Sequence, residues 1–153
     1  MTHERLSFSY LGESYVRLEL AKRSYKVISS VPGFYFDLLG QDGKKIEVKT
    51  ATKSATKKTK NGKHYDYTVW KFRLSLEQQK KHPDFYVCVL FENPDNAPIG
   101  YFVFPKGSLK VYDEGSKSGI LYLYESDLSG QVKMEGKLDR HQYLNKWSLI
   151  SGS

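Results

Sequence analysis

Apolar positions recur at helical spacing from Leu11 to Arg23, where Leu11, Tyr15 and Leu18 form one stripe with Val16 and Leu20 beside it. The stretch closes on Lys22-Arg23, cations that suit a helix C-terminus, so a first helix is predicted there. The period then shortens to two. Lys26 to Val31, Phe34 to Leu39 and Lys44 to Thr50 read as strands separated by turns at Pro32-Gly33 and Gly40-Gln41-Asp42-Gly43, a three-stranded meander. After a polar stretch, Tyr65 to Leu74 alternates as a strand, Ser75 caps a short helix over Leu76 to Lys81, and His82-Pro83 stops it. Strands follow at Phe85 to Phe91, Ile99 to Phe104 and Ile120 to Tyr124, with a turn over Asn93 to Pro98. Leu138 to Ile150 reads as a closing helix with Leu138, Tyr143, Leu144 and Trp147 on its apolar side. Interleaved helices and strands predict an α/β fold, a central mixed sheet flanked by helices.

A length of 153 residues suits one domain over 1–153, with a core of about 8–104 and a C-terminal extension over 105–153. No apolar run approaches the roughly 20 residues of a membrane span, and no apolar stretch follows the charged N-terminus, so a soluble cytoplasmic protein is expected. A single cysteine, Cys88, excludes an internal disulfide and a thiolate zinc cluster, and its setting in Phe85 to Phe91 predicts a buried thiol. The 12 Tyr, 8 Phe and 2 Trp argue against disorder.

Charge changes the picture more. The net charge is +7, and Lys44 to Lys81 holds 12 Lys and Arg against three acids, leaving 12 against 14 elsewhere. One segment supplies the whole excess. Its densest part, Lys53 to Lys63, has no apolar periodicity and is expected as a solvated, mobile loop. Such a loop suits a polyanion, whose phosphates lysines contact without reading sequence, or serves as a solubilising surface.

Candidate chemistry sits just before it. Glu47 and Lys49, two apart on a strand, share one face, Ile46 and Val48 take the other, and the hairpin can bring Asp37 alongside. Facing carboxylates repel when both are ionised, and a hard divalent cation holds such a pair, which implies Mg²⁺ with Mn²⁺ as a substitute. The ion would engage a phosphate oxygen and acidify a water, while Lys49 takes or guides the proton or steadies charge on the phosphate. Acid-x-lysine triplets are cheap; about two are expected by chance in this composition. Of the three present, Asp42-Gly43-Lys44 lies in a turn and Glu135-Gly136-Lys137 in a polar stretch. Only Glu47-Val48-Lys49 lies on an apolar-flanked strand next to an Asp-bearing one, where an exposed cross-strand ion pair is the plain alternative.

At these residues the chain resembles the PD-(D/E)xK nuclease superfamily over about residues 8–91. Glu13 on the first helix, Asp37 in Phe36-Asp37-Leu38-Leu39 and Glu47-Val48-Lys49-Thr50 match its helix Glu, strand Asp and (D/E)xK, in the same element order. The family's Pro is replaced by Phe36 and its frequent Gly by Ser24. The resemblance implies a restriction-endonuclease-like core with Asp37 and Glu47 as metal-binding carboxylates, the Val48 carbonyl as a further ligand and Lys49 as catalytic lysine. It places Glu13 beside the site, holding water near the ion or a second ion, with an ordinary exposed helix acid as the alternative. Gln78 or Gln79 would reach in from the later helix, although glutamine is also a routine surface residue there.

Lys53, Lys57, Lys58, Lys60, Lys63 and Arg73 are the candidate DNA contacts, with Lys71 extending the path. Tyr65, Tyr67, Trp70 and Phe72 can stack bases, but strand aromatics more often belong to a core. His64 and His82 read as surface groups, and His3 and His141 suggest no metal triad. The expectation is a Mg²⁺-dependent DNA endonuclease, restriction-like, homing or resolvase-type, with no small-molecule cofactor. Cutting two strands with one site per chain favours a homodimer or higher oligomer. The rival readings are a non-catalytic basic nucleic-acid-binding module and a protein-interaction subunit.

Overall fold

The computed structural model describes residues 3–29, 36–75, 83–109, 112–113, 118–130 and 140–152. Helix α1, His3–Lys22, starts well before the expected Leu11, in a stretch free of proline. It ends where Ser24 takes a positive φ of 58° and the Tyr25 N–H donates to the Leu20 carbonyl at 3.0 Å. Val16 and Leu20, spaced by four, are its buried line, and Phe8 and Tyr15 set their rings 5.0 and 5.9 Å from Phe91. Leu18 is exposed, contrary to its expected place in the stripe, because two residues carry it about 200° round from Val16.

Strands β1 (Val27–Ser29), β2 (Leu38–Gly40) and β3 (Lys45–Thr52) pair as an antiparallel meander in the expected order, while the turn expected at Pro32-Gly33 and the start of the second expected strand, 34–35, lie outside the described residues. The β2–β3 turn depends on Gly43 at φ 84°. Strands β4 (Ser54–Lys60) and β5 (Lys63–Ser75) come next, then β6 (Phe85–Phe91) and β7 (Gly100–Pro105). β6 lies parallel to β3, and β7 antiparallel to β6, which completes a five-stranded mixed sheet in the order β1-β2-β3-β6-β7. Every residue of β6 is buried, as expected for an apolar run covered on both faces.

The basic segment is not the mobile loop expected. It forms a β4–β5 hairpin whose turn, Asn61-Gly62, has φ of 54° and 75°. Both turn residues need positive φ for a tight hairpin, which Asn-Gly supplies, and a polar ribbon pairs through its backbone with no apolar pattern to announce it. β5 runs on to pair with β9 (Ser118–Tyr124), itself paired with β8 (Tyr112–Asp113), so a second sheet has the order β4-β5-β9-β8.

These layers enclose two cores. Val16, Leu20, Leu38, Ile46, Val48, Val87 and Val89 meet between α1 and the first sheet. Ala51, Trp70, Phe72, Cys88, Leu90, Phe102 and Leu121 meet between the sheets. Each large side chain fully buried there contributes on the order of 2–3 kcal/mol. Trp70 and Phe72 are therefore core residues, Trp70 also donating from Nε1 to the Phe91 carbonyl at 2.9 Å, while Tyr65 and Tyr67 are exposed. The fold is mixed α/β. The expected flanking helix covers one face of the central sheet, and among the described residues a second sheet covers the other.

The expected closing helix is broken. Within 140–152 a 3-10 turn at Arg140–Tyr143 and helix α3, Ser148–Ser151, are separated by Asn145 at φ 54°; helix α2, Glu125–Ser129, precedes them. Asn145 donates its N–H to the Tyr101 carbonyl at 2.7 Å and accepts the Tyr101 N–H on Oδ1 at 3.2 Å. Pairing the tail to the β7 edge wins over helix continuity, and Trp147 turns inward. The helix expected over 76–81, and Leu138, lie outside the described residues. Among the described residues no helix is long and apolar enough to cross a membrane.

Candidate active site

The site grows from a short strand beside a long one. Among the described residues β2 pairs with β3 through Leu38 with Ile46 and Leu39 with Lys45, and the ladder described on that side of β3 stops at Ile46. Asp37 lies at that end. Its N–H donates to the Ile46 carbonyl at 3.0 Å, and its Oδ2 accepts the Val48 N–H at 2.8 Å. In an extended strand a residue's carbonyl leaves on the side of its N–H, so the Val48 carbonyl also faces Asp37. Ile46 and Val48 enter the α1-side core, and Glu47 and Lys49 share the opposite face with Ala51.

α1 closes the third side. A Cβ on Gly12 would lie 1.9 Å from Thr50 Cγ2, so helix and strand touch at a point only glycine permits, and Glu13 arrives beside Asp37. Gly12→Ala is expected to cost about 1–3 kcal/mol by overpacking against a stiff β-branched side chain. Thr50→Ser in the same chain, which removes the clashing methyl, recovers most of the loss; paired thermal melts check both.

The electrostatics are strained. Glu47 is only 4% exposed, the buried charged residue among those described. Burial first, then hydrogen bonding and charge repulsion from Asp37, push its carboxyl from 4.5 to about 9, against the opposing pull of Lys49. Glu13 is raised to about 7, by burial first and then by the charge and hydrogen bonding of Asp37, with Arg17 pulling the other way. Both glutamates resist ionisation here unless positive charge is added. Lys49 Nζ lies 3.8 Å from Glu47 Oε1, an ion pair with the lysine side chain 21% exposed and the glutamate 6%. The pair is more enclosed than the cross-strand surface pair that the triplet alone allows.

Tyr86 is a neighbour that sequence reading missed. The parallel register sets it directly across from Glu47, and its buried hydroxyl has no hydrogen-bond partner among the described residues. Burial, then the charges of Glu47 and Cys88, push the phenol up to about 12, so it stays an O–H donor facing an acidic site. One hydroxyl inside the apolar run Phe85 to Phe91 was the available signal, but its partner strand was not readable.

Among the described residues no group of three His, Cys, Asp or Glu side chains forms a ready metal site. The donor chemistry nonetheless fits a hard divalent cation. Asp37, Glu47 and the Val48 carbonyl present oxygens only, and the mutual repulsion of the acids is what such an ion relieves. Those three would hold it, with Glu13 at its edge.

The candidate DNA contacts scatter along the second sheet. Lys53 follows β3 directly and pairs with Glu92 at 3.7 Å; Lys57 stands opposite Asp66, and Lys60 opposite Lys63 at the hairpin tip. Lys71 and Arg73 are exposed on β5. Lys58 stands opposite Tyr65, with its side chain outside the described residues, as are Gln78, Gln79 and His82. His64 shares a 3.0 Å hydrogen bond with Thr59 Oγ1, and His141 one of 3.0 Å with the Asp127 carbonyl, and neither adjoins the acids in sequence or pairing. No protein-family model matches the chain, and no curated protein or solved structure matches it.

Proposed function

We propose that the chain is a Mg²⁺-dependent endodeoxyribonuclease of the PD-(D/E)xK type, with a restriction-endonuclease-like core. One observation carries the reading: Asp37, Glu47 and Glu13, brought from a strand end, a strand and a helix, crowd one another around β3 beside Lys49. A fold does not bury repelling carboxylates for stability, because each desolvated charge costs free energy. A site that must bind positive charge accounts for the arrangement.

In this reading Asp37 and Glu47 hold the cation, Asp37 being oriented by its bond from the Val48 N–H. When bound, Mg²⁺ supplies Lewis acidity at the scissile phosphate and makes a nearby water a better acid. Glu13, half-buried at the mouth, accepts a hydrogen bond from that water and fixes its direction. Water oxygen bonds to phosphorus as the bond to the leaving oxygen breaks; the proton that the water loses passes to solvent, either through Lys49 acting as a neutral amine or directly while the Lys49 ammonium steadies charge on the phosphate, and the leaving oxygen takes up a proton from solvent. One site per chain cuts one strand at a time, so duplex cleavage would gain from pairing two copies.

Supercoiled plasmid and a synthetic four-way junction, incubated with Mg²⁺, Mn²⁺ or EDTA, test the reading. Metal-dependent cleavage that Asp37→Ala abolishes while the fold persists is the expected result. Salt-sensitive DNA binding in EDTA with no cleavage of any substrate in either metal would favour the binding-module alternative, which the exposed basic hairpin supports.

A further inference from the structure

We propose that the outward face of the β4–β5 hairpin binds an unpaired nucleic-acid strand, with its bases on Tyr65, Tyr67 and Tyr124 and its phosphates on Lys60 and Lys63. The inference deepens the nuclease reading, on which it rests, by giving the substrate a single-stranded segment: a junction, flap or loop rather than uninterrupted duplex.

The register fixes what shares this face. Lys60 opposes Lys63, Lys58 opposes Tyr65, Thr56 opposes Tyr67, and Val69 lies between Ser54 and Tyr124. Among the described side chains on this face Lys60 and Lys63 are cations, and none is a carboxylate. The acid of the hairpin, Asp66, sits on the other face opposite Lys57, and that face continues toward the body as the buried Trp70, Phe72 and Leu74. Lys57, Thr59, Lys60 and Lys63 to Tyr67 of the outer ribbon are exposed, Tyr65 by 42% and Tyr67 by 40%. Nearer the body Val69 and Ile120 are buried and Tyr124 is half-buried, while Lys71 and Arg73 on the same face are exposed, so the exposed tyrosine rings lie on the outer half.

A two-stranded ribbon outside both cores gains little from burial, and isolated hairpins are marginal. Its composition is therefore better explained by what it contacts. The ring centroids step 6.4 Å from Tyr65 to Tyr67 and 6.5 Å from Tyr67 to Tyr124. The ring planes are tilted by 43° and 77° from one another, so they form no continuous stack, and with steps about twice the 3.4 Å rise of a stacked duplex strand they suit bases splayed apart and taken one at a time. Aromatic platforms flanked by cations are how proteins hold single strands without reading sequence. An acidic peptide would satisfy the lysines but leave the row of tyrosine rings without a role.

Fluorescence anisotropy in EDTA, with the full chain, tests this apart from catalysis. The probes are oligo-dT, an abasic oligomer of equal length and a blunt duplex, with polyglutamate as competitor. Tyr65→Ala and Tyr67→Ala are each expected to weaken oligo-dT binding about tenfold. The Phe variants preserve it, and abasic oligomer and duplex change far less. Lys60→Ala and Lys63→Ala weaken all three and lower the salt slope by about 0.7 per lysine on the single strand. Tyrosine variants that bind oligo-dT like the wild type, that lose duplex equally, or polyglutamate that displaces oligo-dT at equal charge would each overturn the proposal. The expected pattern without any cleavage would retain this face as a strand-binding surface and remove the nuclease reading.

Discussion

Replacing Lys49 with methionine is expected to lower Mg²⁺-dependent DNA cleavage by at least about 100-fold, the scale of losing one preorganised group that stabilises transition-state charge. Methionine keeps an unbranched apolar stem on the same strand face and removes only the ammonium, so the β3–β6 ladder beside Cys88 is left alone. Lys49 also pulls the Glu47 carboxyl down, so its loss deepens the acid's reluctance to ionise and shifts the metal requirement upward. Lys49→Arg separates the two possible uses of the side chain. Arginine steadies charge on a phosphate but holds its proton throughout any accessible pH. Partial activity in the arginine variant assigns charge stabilisation; activity as low as in the methionine variant assigns proton transfer. Single-turnover cleavage at saturating Mg²⁺, with DNA binding measured in EDTA, reads the chemical step alone. Wild-type rates in Lys49→Met would remove Lys49 from the reaction.

The parts of this site that lie close in sequence are legible there, and the parts that depend on pairing are not. Alternation alone puts Glu47 and Lys49 on one face and Ile46 and Val48 on the other, because strand period leaves no choice. Turn residues place Asp37 across the hairpin from them. Glu13 is harder: its helical stretch is readable, but its approach depends on Gly12 meeting Thr50, a contact between elements that no local pattern encodes. Tyr86 is invisible for the same reason, since the parallel β3–β6 register that sets it across from Glu47 joins strands far apart in the chain. The β4–β5 ribbon hides differently. Its residues are polar on both faces, so hydropathy carries no period, although Asn61-Gly62 was a turn signal within the basic stretch. Leu18 and the broken tail show tertiary packing overriding a plausible stripe: the sheet selects Val16 and Leu20 on α1, and the β7 edge captures Asn145.

The strain at Glu47 has a consequence measurable without a substrate. Its carboxyl is raised from 4.5 unfolded to about 9 folded, so between those values the folded chain binds more protons than the unfolded one. This contribution to stability is fully present below pH about 4.5 and is lost as pH rises toward about 9. Glu13, raised to about 7, acts in the same direction over the lower part of that window. Glu47→Gln keeps the shape and removes the ionisation, so the metal-free variant is expected to melt higher than the wild type on the alkaline side and to lose part of the pH slope. A difference of about 2 kcal/mol would raise Tm by roughly 4–8 °C in a chain of this size. Mg²⁺ or Mn²⁺ relieves the same repulsion and stabilises the wild type by mass action, about 2.7 kcal/mol at a hundredfold excess over Kd, but does little for the variant. Melts of both proteins across this pH range, with and without each cation, check the linkage directly. A Glu47→Gln variant less stable than the wild type at high pH without metal would show that the Lys49 pair outweighs the burial of Glu47, and that the edge of β3 is held together by its charges instead of being strained by them.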